Sequence, residues 1–182
     1  MSSWIVVGFG GVTCGGKTTI SNELHKMIPN SVIIHQDDYF HPMGSEVLEY
    51  IEEVQHYNWD TVTAIDSERM INDVKQIISS DVSGSPRVLI VEGHFIYDFP
   101  TIGDRCDYKF LVKSDKETCR YRRRTRKYKR YDQRYFDEYA WPATEHHYKH
   151  ALETYKDTVI ELDGLSPVSQ NLQIILQRLN LA

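Results

Sequence analysis

The stretch Gly11-Val12-Thr13-Cys14-Gly15-Gly16-Lys17-Thr18 constrains this chain more than any other. It fits G-x-x-x-x-G-K-[ST], the spacing of a phosphate-cradling P-loop. Glycines let the backbone curl until successive N–H groups point into one concavity. A helix starting at the lysine adds the positive end of its dipole. In that geometry Lys17 reaches the β- and γ-phosphates of a nucleotide, and the Thr18 hydroxyl holds Mg2+. The flanks agree. Trp4-Ile5-Val6-Val7-Gly8-Phe9 is a short apolar run of strand type, and Ile20, Leu24, Met27 and Ile28 recur at helical spacing until Pro29-Asn30. The order strand, glycine loop, helix separates a P-loop from a chance glycine-rich turn. A dinucleotide fingerprint is excluded, because Thr13 stands where a third glycine must follow Gly8-x-Gly10.

Further strands follow at intervals. Ser31-Val32-Ile33-Ile34-His35 reads as a second strand that runs into Gln36-Asp37-Asp38-Tyr39-Phe40. The carboxyl ends of parallel strands carry the chemistry in α/β sheets, so two acids placed there are candidates for a general base and a Mg2+ ligand. Residues 41–60 are loop-like and contain Asn58-Trp59-Asp60. A Trp beside an Asp can stack on a planar ring and hold a sugar diol, and Trp59 can equally plug the core. Met70, Val74, Ile77 and Ile78 predict a helix from about Asp66 to Ser80, followed by a turn-rich connector, Asp81 to Pro86. Arg87-Val88-Leu89-Ile90-Val91 is a buried-type strand closed by Glu92-Gly93, which puts an acid at the position that lies near metal and reacting groups in P-loop enzymes. Residues 94–106 read as a loop and Tyr108-Lys109-Phe110-Leu111-Val112 as a fourth strand. Glu145 to Tyr155 reads as a surface helix; His146 and His150 on it lack the Glu of a zinc motif. Thr158 to Leu162 is a fifth strand, after which Ser166 and Pro167 are expected to cap and open a last helix.

Charge is unevenly spread. Residues 120–130 hold eight of the 21 Lys and Arg and no acid, which leaves 13 bases against 26 acids elsewhere. Ser114-x-x-Glu117 predicts a capping box at the head of this basic helix. Its guanidinium groups would repel one another without an anion to share, and Arg122 and Arg126 fall four apart on one face. An acidic chain with one basic segment argues for an anion site under a closing lid, not for a surface coated in nucleic acid.

The 182 residues are expected to form one domain, 1–182, with a lid at about 122–137. No apolar run approaches the ~20 residues of a membrane span, and no signal peptide is apparent. Three cysteines, Cys14, Cys106 and Cys119, form no CxxC pair, which suits a reduced cytoplasmic setting. Neither membrane nor nucleic acid is expected as a partner, and the expected state is a monomer or weak homodimer.

With these pieces placed, the chain resembles the nicotinamide riboside kinases from about Trp4 to Leu179. The matching segments are the P-loop through Thr19, His35-Gln36-Asp37-Asp38-Tyr39-Phe40, Trp59-Asp60, Val91-Glu92-Gly93, Arg122-Arg123-Arg124-Thr125-Arg126-x-Tyr128, Tyr135-Phe136-Asp137, Trp141-Pro142 and Leu162-Asp163-Gly164. The resemblance implies an α/β P-loop NTPase fold: a five-stranded parallel sheet of order 2-3-1-4-5, flanked by helices and carrying a short lid. It implies ATP and Mg2+ as cofactors and transfer of the γ-phosphoryl to the 5′-hydroxyl of nicotinamide riboside, with nicotinic acid riboside second. Gly11, Val12, Thr13, Cys14, Gly15, Gly16, Lys17, Thr18 and Thr19 would bind ATP, with Arg122, Arg126 and Tyr128 on the lid side. Asp37 would be the base and, with Thr18, sit beside Mg2+; Lys17 and Arg126 would complete the catalytic set. Asp38, Tyr39, Phe40, Trp59, Asp60, Glu92, Arg123 and Tyr128 would line the nucleoside side, Trp59 stacking on the pyridine and Asp60 holding the ribose. Residues Ser166 to Val168 would lie near the adenine. The lid segment Lys129 to Arg134 and the insert from Pro42 to Trp59 depart from the family pattern. A uridine- or cytidine-type nucleoside kinase is the alternative. An RNA-binding module using the Arg/Tyr segment is the alternative of another class.

Overall fold

The computed structural model describes residues 4–80, 87–125 and 133–180. Its elements run β1 (Ile5–Gly11), α1 (Lys17–Met27), β2 (Val32–His35), β3 (Tyr50–Ile51), β4 (His56–Tyr57), α2 (Ser67–Ser79), β5 (Val88–Glu92), α3 (Pro100–Gly103), β6 (Tyr108–Lys113), α4 (Lys116–Thr125), α5 (Gln133–Tyr135), α6 (Trp141–Thr154), β7 (Val159–Asp163) and α7 (Val168–Leu179). Five strands form one sheet in the order β2-β5-β1-β6-β7, with every pairing parallel. Counted along the sheet-forming strands this is 2-3-1-4-5, as the resemblance implied.

Period-two alternation builds a core on each face. Val6, Leu89, Val91 and Leu111 meet Met70 and Val74 of α2, Ile102 of α3 and Ala151 of α6 on one side. Val7, Phe9, Ile90, Phe110 and Val112 meet Ile20 and Leu24 of α1 and Ile175 and Leu179 of α7 on the other. Both faces are covered, so β5 is apolar from Val88 to Val91 without polar alternation, and its one acid, Glu92, stands at the carboxyl end.

Several local expectations are corrected. The segment 41–60 contains a short hairpin, with Tyr50 opposite Tyr57 and Ile51 opposite His56. The region 94–106 is not all loop: a 3-10 turn at Ile96–Asp98 leads into α3, with Pro100 at its first position. Asp115, not Ser114, caps α4, its carboxylate accepting the Thr118 N–H at 2.8 Å. A π-helical turn, Phe136–Ala140, feeds α6, which starts at Trp141 and not near Glu145. Ser166 caps nothing: its hydroxyl donates to Asp163 at 3.1 Å, and α7 begins one residue after Pro167. The guanidinium groups of the basic helix are shared among partners within the protein. Arg120 pairs with Glu117 and Asp137, and Arg124 donates to Gln133 at 2.8 Å.

Parallel pairing carries the ends of β1, β2 and β5 to one edge of the sheet. There the glycine loop, the Asp37-Asp38 turn and Glu92 come together.

Candidate active site

Gly16 takes φ 109° immediately before α1, a left-handed conformation that a Cβ would strain, and the helix starts at Lys17 as its sequence requires. The N–H groups of that first turn have no intrahelical partner and carry the positive end of the helix dipole. Lys17 is buried and folds over the loop, donating to the carbonyls of Gly11 at 3.1 Å and Val12 at 2.9 Å. From the opposite side Arg122 donates to the carbonyls of Cys14 and Gly15, both at 3.3 Å, and of Gly164 at 2.9 Å. Cationic donors thus hold the loop carbonyls. Arg122, Thr125, Gly164, Ser166, Val168 and Asn171 join Cys14, Gly15, Gly16, Thr19 and Ile20 around a cleft of about 360 Å³. Ser166 and Val168, which the resemblance places near the adenine, are on its wall.

Thr18 donates its hydroxyl to Glu92 at 3.1 Å, and His35 Nδ1 meets the same carboxylate oxygen at 2.8 Å. Glu92 is 3% exposed. Its hydrogen bond raises the pKa of His35 above the usual imidazole value, against the opposing effect of burial. Gln36 anchors the turn behind it: its buried amide oxygen accepts the Phe95 N–H at 3.0 Å. Asp37 and Asp38 stand exposed beyond it on a 3-10 turn. Arg69 of α2 clamps this turn by donating to the Asp38 carbonyl and lying 4.6 Å over the Tyr39 ring. Tyr39 itself is a core residue, its hydroxyl donating to Asp73 at 2.7 Å, and burial followed by that bond pushes its pKa up to about 12. Phe40 meets Trp59 edge-on, with ring centroids 5.5 Å apart. The hydroxyl and carboxylate oxygens of Thr18, Glu92 and Asp37 are the hard donors that Mg2+ prefers. Among the described residues no cluster of three or more His, Cys, Asp or Glu could cage a metal.

Asp60 is buried and surrounded by donors. Tyr135 donates to Oδ2 at 2.7 Å, Arg123 Nη2 stands 3.9 Å from the same oxygen, and His94 Nδ1 stands 3.5 Å from Oδ1. Burial alone would raise the Asp60 pKa; His94, Arg123 and Tyr135 together outweigh it and hold the carboxyl at about 2. Arg123 also donates to the Thr13 hydroxyl at 3.2 Å and so links this pocket to the phosphate loop. Trp59 is half-buried and belongs to none of the three core clusters, which removes the core-plug reading.

Arg126 and Tyr128, assigned to the lid by the sequence, lie outside the described residues. His94, Tyr135 and Thr144 were missed as site residues. Tyr135 stood in the quoted Tyr-Phe-Asp match without a role, and nothing in the spacing of His94 or Thr144 marks them.

The sheet order, the P-loop with its lysine, and the acids at neighbouring strand ends define a P-loop phosphotransferase. An AAA domain profile matches residues 7–149, and the chain belongs to that class. Human nicotinamide riboside kinase 2 is 30% identical over 187 residues, which cover 95% of this chain and 80% of that protein. Rat nicotinamide riboside kinase 1 is 33% identical over 173 residues, covering 87% and 85%. Candida albicans thymidylate kinase shares the fold, with a TM-score of 0.65 at 14% identity, covering 99% of this chain and 94% of that one. The chain belongs to the nicotinamide riboside kinase family and is an ATP-using nucleoside kinase.

Proposed function

We propose that this enzyme transfers the γ-phosphoryl of ATP to the 5′-hydroxyl of nicotinamide riboside, and to nicotinic acid riboside as a second substrate, serving NAD salvage in the cytoplasm. The observation that carries this reading is the pair Trp59-Asp60. A half-exposed indole stands beside a carboxylate held ionised in a buried pocket. An indole face suits a cationic pyridinium through stacking and cation–π attraction, and an ionised carboxylate accepts two hydroxyl donors of a ribose.

Asp37 takes the proton of the 5′-hydroxyl, and Asp60 fixes the sugar so that the attacking oxygen lies in line. Lys17 leaves the loop carbonyls for the β- and γ-phosphates, where its charge is stabilising as the phosphoryl departs. Thr18 and Asp37 would hold Mg2+, with Glu92 behind them, and the ion would neutralise phosphate charge. Arg122, Arg126 and Tyr128 close over the ATP as part of the lid, which ends against the buried Tyr135 and Phe136, and closure excludes water from the transfer. Asp38 and Phe40 border the riboside.

Initial rates of ADP release with nicotinamide riboside, nicotinic acid riboside, uridine and cytidine at equal concentration test the reading. Nicotinamide riboside should give the highest kcat/KM. A preference for uridine or cytidine would replace it with a pyrimidine nucleoside kinase. Tight, steeply salt-dependent RNA binding with no nucleoside turnover would replace it with an RNA-binding module.

A further inference from the structure

Tyr135 makes polar contacts to two consecutive residues of the nucleoside pocket. Its hydroxyl donates to Asp60 Oδ2 at 2.7 Å and accepts the backbone N–H of Trp59 at 2.9 Å. A phenol has one proton to give and two acceptor sites, so one oxygen serves both bonds with good geometry. Adjacent residues bridged in this way are locked together. The phenol restrains the backbone at Trp59 and the side-chain rotamer of Asp60 at once, in a segment that belongs to no helix or strand.

The phenol is itself held firmly. Tyr135 is 1% exposed. His56 stacks on its ring at 4.0 Å, Tyr139 lies nearly parallel at 5.9 Å, and the Arg123 guanidinium is 5.8 Å from the ring centre. Burial, then the nearby Asp60 charge, raise its pKa far above the usual phenol value, so it remains a donor throughout the working pH range. No water can stand in for a hydroxyl enclosed on all sides, and its loss would leave Asp60 and the Trp59 amide short of a partner.

We propose that Tyr135 is a positioning residue that sets the register between the ring-stacking Trp59 and the sugar-binding Asp60, and thereby the selectivity for ribosides with an intact diol. The inference rests on the reading of Trp59 and Asp60 given above. A base and a ribose are joined by one glycosidic bond, so their two recognition groups must keep a fixed separation and angle. Tyr135 supplies that constraint from α5, outside the segment that bears them.

The test compares the full chain with its Tyr135→Phe variant, which keeps the ring and loses only the hydroxyl. Steady-state rates are measured with nicotinamide riboside and its 2′-deoxy analogue, at varied ATP, alongside thermal melting. Loss of the register should raise the riboside KM about tenfold, with kcat within about threefold and the ATP KM within about twofold. The preference for riboside over the deoxy analogue should fall by a similar factor. A purely structural hydroxyl would lower the melting temperature and leave that preference intact, and this result would overturn the inference. A parallel rise in the ATP KM would overturn it too. Asp60→Ala separates the two levels of argument. If Asp60→Ala leaves the riboside KM unchanged, the sugar contact itself is misplaced. If Asp60→Ala raises it and Tyr135→Phe does not, the sugar contact stands and the register role falls.

Discussion

The Thr18 hydroxyl and the Glu92 carboxylate, 3.1 Å apart, tie the first turn of α1 to the last residue of β5. Val91 and Glu92 lie level with Gly8 and Phe9 of β1, so the bond spans the gap from the phosphate loop to the neighbouring strand end. His35, level with Glu92 on β2, closes the row from the other side. A carboxylate held by a hydroxyl and an imidazole is an oriented negative charge beside the first turn of α1. Glu92→Gln keeps an acceptor for Thr18 and removes the charge. It should lower kcat by roughly 10²-fold with circular dichroism unchanged. Retention of full kcat would take Glu92 out of the reaction.

Asp60 predicts an acid-side loss of stability. Its carboxyl titrates near 3.8 in the unfolded chain and is held at about 2 in the folded one. A depressed pKa stabilises the fold above the unfolded value, and that contribution disappears as pH falls through the folded value. The window is therefore about pH 4 to pH 2, and the contribution is on the order of 2 kcal/mol. Urea unfolding of wild type and Asp60→Asn across this range should converge at the acid end. Parallel curves would show that the Asp60 charge adds nothing to the fold.

Arg122 holds three carbonyls, two in the phosphate loop and one at Gly164 after β7. Arg122→Ala should loosen the loop and the cleft together. The ATP KM should rise at least about fivefold, and the shift in melting temperature given by saturating ATP should shrink accordingly. Nicotinamide riboside binding, measured by calorimetry without ATP, should change less than twofold; a larger loss there would place Arg122 on the nucleoside side.

His94 presents Nδ1 to Asp60, which accepts only, so that nitrogen carries the proton and Nε2 accepts the Thr144 hydroxyl at 2.9 Å. Thr144 is fully buried and anchors the ring in this orientation. Thr144→Val removes the donor while keeping the shape. The imidazole then keeps its Nδ1 proton towards the carboxylate but loses the bond at Nε2 that orients its ring. The riboside KM should rise about threefold to tenfold with the ATP KM constant. Equal riboside KM values for wild type and variant would show that this anchoring of His94 is immaterial.

Much of this architecture was legible in the sequence for a local reason. The glycines and Lys17 act within one turn of chain, and the apolar runs of β1, β5 and β6 announce buried parallel strands. Their order along the chain leaves few right-handed arrangements. The short elements were less legible. The β3–β4 hairpin has two residues per strand and α3 one turn, too few for a periodic signal. Asp115 displaced Ser114 as a cap because a capping box has neighbouring solutions that differ by one residue.

The sequence by itself determined what could be written over a few consecutive residues: the nest that grips phosphate, the acids after apolar strands, and the Trp-Asp pair. Only the tertiary structure decided which distant groups serve them. His35 on Glu92, Tyr135 across Trp59 and Asp60, and Thr144 behind His94 meet because the sheet and its covering helices bring their elements together. A buried carboxylate must find donors wherever the packed chain offers them, and spacing along the chain carries no record of that choice.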